Sequence, residues 1–517
     1  MKKIQNSSKS NTDMVTISRA EYDELNARID WLTEQLLLAQ KRIFGRSSEK
    51  SDEVMLNQMS LLFNEAEVCD DAAAPEEEKT TVPSYQRKKK QSGSAKDVLP
   101  ANTEVEVIEH RLSDEERICP QCGDTMLEIG TETVETIKFY PARAVLVRDV
   151  YYTYGCKRCD KEDTSTPIIK TPHKKAVIPG SFASPEAVAW LMNEKFVMHS
   201  PLYRIEQDLK RKGIRLSRQT MSNWLIRCAK DWLTPVYEEL KKELIRHDII
   251  HADETKLQVL HEPGKKPDSD SFMWLYRTGA EAEHPVILYE YRDNRRKENP
   301  SAFLKGFQGY LQTDGYPGYN AVEDVIHVGC WAHARRKFDE AYEALPKNKK
   351  QGAATEGLAY CTKLFEIEKK LADLTPEERH KERLEQAKPV LDAMLAWAES
   401  RTAAPKSKLG IALTYLKNQW QSLNNYLLDG RLEISNNRAE RSIKPFVMGR
   451  KNWLFANTTS GADSSAVIFS LVETAKENGL DPFKYLAYVL RTAPTLDQSH
   501  DGWARSLLPQ NITDGCR

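Results

Sequence analysis

The chain has 517 residues, which is too long for one hydrophobic core and predicts about three or four domains. Its composition, 40% hydrophobic and 29% charged with a formal net charge of −1, is typical of a globular protein and excludes a uniformly cationic surface, so any contact with DNA must be local. No run of about 18 apolar residues occurs and the first residues lack the apolar core of a secretory signal, so we expect a cytoplasmic protein with no membrane partner.

Residues 17–63 are predicted to form a coiled-coil helix of the leucine-zipper type. Apolar residues recur there in alternating steps of four and three, which keeps one stripe facing a partner helix: Leu25, Ile29, Leu32, Leu36, Ala39 and Ile43. The pattern covers only about three heptads, so a single amphipathic helix packed on its own domain is the alternative. A coiled coil would make the protein a homo-oligomer.

Residues 64–104 are predicted to be a flexible linker. An acidic tract around Asp70 is followed by a basic cluster at 87–90 and a stretch of serine and glycine. The basic cluster is interpreted as a solvated charge run rather than as a phosphate site.

Two C-x-x-C steps predict a zinc ribbon in residues 105–172. The nine cysteines favour a reducing compartment over a disulfide framework, and four of them have the paired spacing of zinc ligands: Cys119, Cys122, Cys156 and Cys159. Between the pairs, Thr133 to Tyr154 is rich in β-forming residues, as the hairpin arms of a ribbon would be. A redox dithiol is the alternative, but the βαβ pattern that it requires is absent from the sequence.

Residues 180–245 are predicted to be helical and to contain a helix-turn-helix motif. Ser184 and Pro185 start one helix, and a later helix leads through Gly213 to another that Ser217 opens. Six basic residues in this segment are candidate DNA contacts: Arg204, Lys210, Arg211, Lys212, Arg215 and Arg218. A plain helical hairpin without DNA binding remains possible because the spacing of the motif is degenerate.

Short apolar runs predict a ribonuclease-H-like catalytic core at 246–460, in which a mixed sheet is flanked by helices. Five strands are expected, with Asp253 on the first and Asp314 at the end of the fourth. A helical insertion is expected at about 340–428 and a C-terminal helical segment at 461–517.

Asp253, Asp314 and Glu440 are the candidate catalytic residues. Cleavage of a phosphodiester develops negative charge on the attacking and leaving oxygens, and two magnesium ions held by carboxylates can stabilise both. Asp314 precedes Gly315, so it could instead only form a turn, and Asp253 with Glu254 could be a surface pair.

Glu440 has a sharper alternative than the two aspartates. Asn437 and Glu440 have the spacing of a capping box, which would explain the glutamate without a metal, and Glu433 would then be the third acidic ligand.

Two further clusters carry cations. Cys330 and His333 form a C-x-x-H step followed by the candidate DNA contacts Arg335 and Arg336; two ligands do not close a zinc site, so packing is the simpler interpretation of the step. After Glu440, aromatic side chains at Trp453 and Phe455 accompany further cations that could clamp a DNA backbone or a splayed base: Arg441, Lys444, Arg450 and Lys451. The alternative is a basic helix face with core aromatics.

Taken in order, these motifs resemble the transposases of insertion sequence 66 over nearly the whole chain. The segments that carry the resemblance are K-R-I-F-G-R-S-S-E-K, C-P-x-C-G with C-x-x-C, H-A-D-E-T, T-D-G-Y, G-C-W-A-H-A-R-R, S-N-N-R-A-E-R-S-I-K-P and G-R-K-N-W-L-F.

The resemblance implies a DDE transposase in which Asp253, Asp314 and Glu440 hold two magnesium (or manganese) ions and a freed 3′-hydroxyl attacks target DNA. It implies a structural role for Cys330 and His333, binding of terminal inverted repeats, and a need for accessory proteins of the same element, which is typical of the family. A DNA-binding regulator without catalysis and a ribonuclease-H-like nuclease without strand transfer are the alternatives.

Overall fold

The computed structural model describes residues 174–345, 352–512 and 514–516, the short segments 153–155 and 168–170, and isolated positions between 21 and 35. The predicted linker, the basic cluster at 87–90 and the four zinc-ribbon cysteines lie outside the described residues. The described positions between 21 and 35 are all helical. Among the described residues, no helix is long and apolar enough to cross a membrane.

The chain divides into two compact units, and the smaller one, Ala74–His173, is described only in part. Within it, β1 (Thr153–Gly155) pairs in an antiparallel manner with β2 (Ile168–Lys170). Strand β1 ends directly before Cys156, which is the third of the predicted zinc ligands.

The larger unit comprises Met1–Ala73 and Lys174–Arg517, and its second part starts with a group of four helices. They are α1 (Pro185–Met192), α2 (Leu202–Arg211), α3 (Arg218–Cys228) and α4 (Thr234–Ile245). Ser184 and Ser217 each accept a backbone N–H at the start of a helix, as their sequence positions predict. Gly213, between α2 and α3, has φ of +79°, a left-handed conformation that glycine adopts without steric cost. The helix, glycine turn and second helix of the sequence prediction are therefore present.

A mixed sheet follows, with strand order β5-β4-β3-β6-β7 and β8 paired to the far end of β3. Its members are β3 (Ile249–His261), β4 (Asp270–Thr278), β5 (Ile287–Arg292), β6 (Gly309–Gln312), β7 (Val325–Val328) and β8 (Ala456–Thr458). Strands β3, β4 and β5 are antiparallel, whereas β6 runs parallel to β3 and β7 parallel to β6. The five predicted strands agree with this sheet to within a few residues, and β8 was not predicted.

Helices cover the sheet and form the region predicted as an insertion. After the short α5 (Glu298–Phe303) come α6 (Trp331–Glu343), α7 (Ala353–Lys370), α8 (Pro376–Glu382), α9 (Lys388–Glu399) and α10 (Lys408–Asn424). The last three are α11 (Asn437–Trp453), α12 (Thr459–Glu477) and α13 (Pro482–Thr492).

Buried polar contacts fix α11 and α12 on the sheet. The Arg277 guanidinium on β4 donates to the Ser442 hydroxyl of α11 at 2.5 Å and pairs with Glu477 of α12 at 3.2 Å. Two α12 hydroxyls, those of Ser470 and Thr474, accept backbone N–H groups of β5 at 2.7 and 3.0 Å. Because Arg277 is almost fully buried, Ser442 and Glu477 replace the water molecules that its guanidinium loses on folding.

A second apolar core lies among α6, α7, α9 and α10, and one buried arginine joins it to the segment before α11. Arg383, whose side chain is 1% exposed, pairs with Glu368 at 2.7 Å and donates to the carbonyls of Tyr426, Asp429 and Leu432. The chain therefore approaches α11 along a path that the arginine fixes.

We expect Arg383→Met to lower the free energy of unfolding by about 3–5 kcal/mol, because it leaves the Glu368 carboxylate without its cation in a low-dielectric region. Urea denaturation followed by tryptophan fluorescence measures the change. Lys388→Met is the matched control, since it removes a cation from an exposed pair with Asp392, and such pairs contribute at most about 1 kcal/mol. Losses of equal size in the two variants would contradict the prediction.

Candidate active site

Two neighbouring parallel strands bring Asp253 and Asp314 together. His251 of β3 is in register with Gln312 of β6. Asp253 lies two residues beyond His251, and Asp314 lies two residues beyond Gln312. The same register therefore places the two aspartates side by side. Adjacent strands are about 4.8 Å apart, which brings the carboxylates within reach of shared cations.

Glu440 reaches the same place from α11. Its side chain is buried, and Oε1 lies 3.7 Å from Nδ1 of His333 at the start of α6. Burial raises the pKa of Asp253 well above its usual range, and the carboxylates of Glu254, Asp314 and Glu440 raise it further. Negative charge from distant parts of the chain therefore converges on Asp253.

Glu254 belongs to the site and is not half of a surface pair. Its side chain is only 1% exposed; Oε2 accepts from the Tyr319 hydroxyl at 2.6 Å and Oε1 accepts from Arg295 Nε at 2.7 Å. Burial and the charge of Asp314 raise the pKa of Glu254 to about 7, although Arg295 and Tyr319 act in the opposite direction.

Asp314 combines the turn role with a place in the acidic cluster. Its Oδ1 accepts the backbone N–H of Tyr316 at 2.8 Å, and its carbonyl accepts the Tyr415 hydroxyl at 2.9 Å. Gly315, which lies between Asp314 and Tyr316, has φ of +90°, and a Cβ added to it would lie 3.1 Å from the Gln419 side chain. The turn and the acidic site therefore use one carboxylate.

The capping-box explanation of Glu440 is wrong. Helix α11 has Asn436 as its N-cap residue, one position before the expected Asn437, and no side chain caps it. The Asn436 side chain instead donates from Nδ2 to the carbonyl of Ala252 at 2.9 Å, while Oδ1 lies 3.1 Å from Nδ1 of His251. The start of α11 is thus fastened to the strand that carries Asp253.

Glu433, the other candidate for the third acid, is engaged in an ion pair. Its Oε1 accepts from Arg438 Nε at 2.6 Å. Burial works against the charged form of Glu433, but His251 and Arg438 together hold its pKa below the usual range. Glu433 is also not among the carboxylates that raise the pKa of Asp253, so the geometry favours Glu440.

Cys330 and His333 lie against the same site. Cys330 Sγ accepts the backbone N–H of Asn436 at 3.2 Å, and ligand atoms of Cys330, His333 and Glu440 lie within 4.8 Å of one another, the only such group among the residues that the structure describes. Burial lowers the pKa of His333, although Glu440 and Asp314 oppose this shift. The C-x-x-H step therefore lies next to Glu440.

The residues present fit divalent cations. Asp253, Asp314 and Glu440 offer the hard oxygen ligands that magnesium prefers. A cation would also relieve the repulsion that raises the pKa of Asp253.

The predicted cations on α6 and α11 differ in their access to solvent. Arg441 and Lys451 are exposed, whereas Arg335, Arg336 and Lys444 are half-buried. Arg450 is buried with its guanidinium near the Thr255 hydroxyl at 3.4 Å. In this position the Arg450 guanidinium is not exposed for the predicted phosphate contact.

The basic residues of α2 and α3 form an exposed surface. All six predicted contacts are exposed: Arg204, Lys210, Arg211, Lys212, Arg215 and Arg218. Asp208 pairs with Arg211 at 3.2 Å and with Lys212 at 2.6 Å, which offsets part of their charge.

Sequence reasoning missed Arg295, His251 and Asn436. The Arg295 guanidinium lies 3.8 Å from the Tyr316 ring centroid while it pairs with Glu254. Burial lowers the pKa of His251 to about 4, so this imidazole is neutral at pH 7 and donates from Nδ1 to Asn436. The cluster R-D-N-R-R after β5 was an available signal for Arg295.

Four family models match the chain. The one described as the IS66 family of transposases matches residues 180–464. The others are a zinc-finger binding domain of transposase IS66 at 116–160, the IS66 C-terminal element at 470–509, and a model described as transposase C of IS166 homeodomain at 31–108.

Individual proteins are similar over most of the chain. Two of them are from Sinorhizobium fredii. "Uncharacterized protein y4hP" is 29% identical over 478 residues, which cover 87% of this chain and 83% of that protein. "Uncharacterized protein y4jD" is 28% identical over 490 residues, which cover 91% of this chain and 92% of that protein. A chain of the "Drosophila P element transposase strand transfer complex" aligns with a TM-score of 0.32 at 12% identity, over 56% of this chain and 92% of that chain, a likeness too weak to carry an argument. Because the first family model spans more than half of the 517 residues, the chain belongs to the IS66 transposase family.

Proposed function

We propose that this protein cleaves and joins DNA strands at the ends of an insertion sequence, with Asp253, Asp314 and Glu440 as the residues that hold two magnesium ions. The observation that carries the proposal is the convergence of carboxylates on Asp253, whose pKa they raise. Such a cluster is costly without a cation and is suited to phosphodiester chemistry with one.

The sheet supports a ribonuclease-H-like core for the catalytic domain. It is a mixed sheet, as the sequence predicts: β4 and β5 are antiparallel to their neighbours, whereas β6, β7 and β8 run parallel to β3. Asp253 lies on the first strand of this sheet and Asp314 two residues after the fourth, and Glu440 belongs to the helix after the insertion.

The proposed reaction has two steps, and the second forms one phosphodiester bond for each one that it breaks. Water attacks phosphorus at the element end and releases a 3′-hydroxyl; that hydroxyl then attacks a target phosphodiester, forms a new bond and displaces a target 3′-hydroxyl. When bound, magnesium would lower the pKa of the attacking group and stabilise charge on the leaving oxygen. Glu254 and Arg295 adjust the charge around the aspartates, His333 lies beside Glu440, and Asn436 ties the start of α11 to β3.

DNA would be bound by the exposed cations of α2 and α3 as a helix-turn-helix, together with a zinc ribbon formed by Cys119, Cys122, Cys156 and Cys159. Self-association through the N-terminal helix is supported by the exposure of its apolar stripe: Leu25, Ile29 and Leu32 are each more than half exposed. Holding two DNA ends requires at least two protomers.

Asp253→Asn and Asp314→Asn are expected to abolish cleavage of a labelled DNA end in the presence of magnesium while leaving DNA binding intact, because each removes a charged ligand. Gel analysis of cleaved and joined strands measures the effect, with Asp392→Asn on an exposed helix face as control. If wild type binds DNA but is as inert as the variants, the protein is a regulator. Cleaved ends without joined products would make it a nuclease.

Glu440→Gln and Glu433→Gln distinguish the third ligand. We expect Glu440→Gln to reduce strand cleavage by at least about 100-fold, the scale of losing one preorganised group that stabilises transition-state charge. Glu433→Gln should keep most of the activity, because Glu433 pairs with Arg438. Full activity in Glu440→Gln would transfer the role to Glu433.

Cys119→Ser is expected to lower bound zinc and to unfold the ribbon, because structural zinc contributes roughly 10–16 kcal/mol to such domains. Metal analysis of the purified protein and limited proteolysis provide the measurements. Cys69→Ser, in the predicted linker, serves as the control. Unchanged zinc content in Cys119→Ser would remove the ribbon from the proposal.

A further inference from the structure

The backbone at the end of α11 is held in a strained turn. Leu454 has φ of +65° and ψ of −50°, and the N–H of Phe455 donates to the carbonyl of Trp453 at 2.8 Å. This geometry is that of a γ-turn of the rare, strained kind. Among the described residues, Leu454 is one of only three non-glycine residues with positive φ, and a leucine there is a true outlier.

Packing of the side chains does not explain this strain. Leu454 is 62% exposed and Phe455 is 41% exposed, whereas the preceding Trp453 packs edge-on against Phe446 with centroids 5.5 Å apart. Strain that is retained at an exposed position is a feature of functional sites, because the surrounding structure must hold it in place.

Two anchors hold the turn. Before it, the N–H of Leu454 donates to the carbonyl of Arg450, whose side chain is buried against β3. After it, Ala456 begins β8 and pairs with Val259 of β3. Leu454 and Phe455, here called the apolar wedge, are therefore fixed to the strand that carries Asp253.

The face of α11 between Glu440 and the wedge is cationic. Arg441, Met448 and Lys451 are exposed at positions that share one side of the helix, and Lys444 is half-buried between them. This surface complements a phosphate backbone that passes from the acidic site to the wedge.

Two independent lengths give the same distance from the acidic site to the wedge. Along α11, fourteen residues from Glu440 to Leu454 span about 21 Å at 1.5 Å per residue. Along β3, six residues from Asp253 to Val259, the partner of Ala456, span about 20 Å. At about 3.4 Å per base pair, the separation equals about six base pairs of duplex.

We propose that the apolar wedge enters the base stack of bound DNA about six base pairs from the cleaved phosphodiester, with Leu454 separating one base step and Phe455 stacking on an exposed base. This inference rests on the proposed function. Aliphatic and aromatic side chains that enter a base step unstack it without reading its sequence. A rigid turn is suited to this task because it need not be ordered on binding.

The test uses full-length protein and a duplex that ends at the boundary of the element encoding this chain, with 2-aminopurine placed in turn at each of the positions around the sixth base pair. Wild type is expected to raise the fluorescence of the probe at one or two positions only. Leu454→Gly and Phe455→Ala should lose that rise, and Phe455→Ala should bind the DNA end roughly 5- to 100-fold more weakly, the scale of one lost stacking contact.

Two controls separate the wedge from a structural role. Leu454→Gly should keep or raise the melting temperature, because glycine adopts positive φ without strain. Leu428→Ala changes another exposed leucine, 50% exposed and outside this face, and should leave the fluorescence unchanged. Both wedge variants should cleave the fully paired duplex more slowly than wild type, and a duplex with an unpaired step at the wedge position should restore their cleavage.

Each result decides one hypothesis. A lower melting temperature of Leu454→Gly without DNA would mean that the turn packs against another part of the chain and would overturn the wedge. The wedge would also be overturned if both variants raised the probe fluorescence as much as wild type does, or if the unpaired duplex failed to restore cleavage. If wild type raises the fluorescence but cleaves neither duplex, the proposed catalytic function fails and the wedge stands as a DNA contact.

Discussion

The candidate site depends on one buried asparagine. Asn436 donates from its side chain to Ala252 on β3, accepts from the neutral His251, and donates its backbone N–H to Cys330 at the start of α6. A single residue therefore sets the relative positions of the strand with Asp253, the helix with His333 and the helix with Glu440. The asparagine does not reach β6, where the parallel register with β3 places Asp314 beside Asp253.

Repulsion among the buried carboxylates destabilises the site, and the surrounding residues offset only part of it. Burial and mutual repulsion raise the pKa values of Asp253 and Glu254. Arg295 offsets part of that repulsion from the side of Glu254, but it is half-exposed and stacked on Tyr316 rather than buried among the acids. The protein thus leaves uncompensated negative charge where cations are needed, which is the expected compromise between stability and activity.

Local pattern was sufficient for the strands, for the starts of α1 and α3, and for the positions of Asp253 on β3 and Asp314 just after β6, because alternation, capping residues and the ends of apolar runs are local signals. It was not sufficient for Arg450, since a basic residue in a helix can lie on either face, and the sequence does not say which face the sheet covers. Asn436 was beyond reach for a related reason: its partners lie more than 100 residues away. β8 has three residues, too few to produce a period.

Helix α11 joins the proposed catalytic glutamate to the proposed DNA-contacting turn. Its first turn presents Glu440, its buried side holds Ser442 and Arg450 against the sheet, and its last residue leads into the strained Leu454 turn. Because α11 and β3 advance side by side over about 20 Å, a displacement of either would move the acidic site and the turn together. The insertion helices reinforce this arrangement, since Arg383 fixes the carbonyls of the segment that leads to Asn436. The distance between the acids and the turn is therefore set at both ends by contacts with β3.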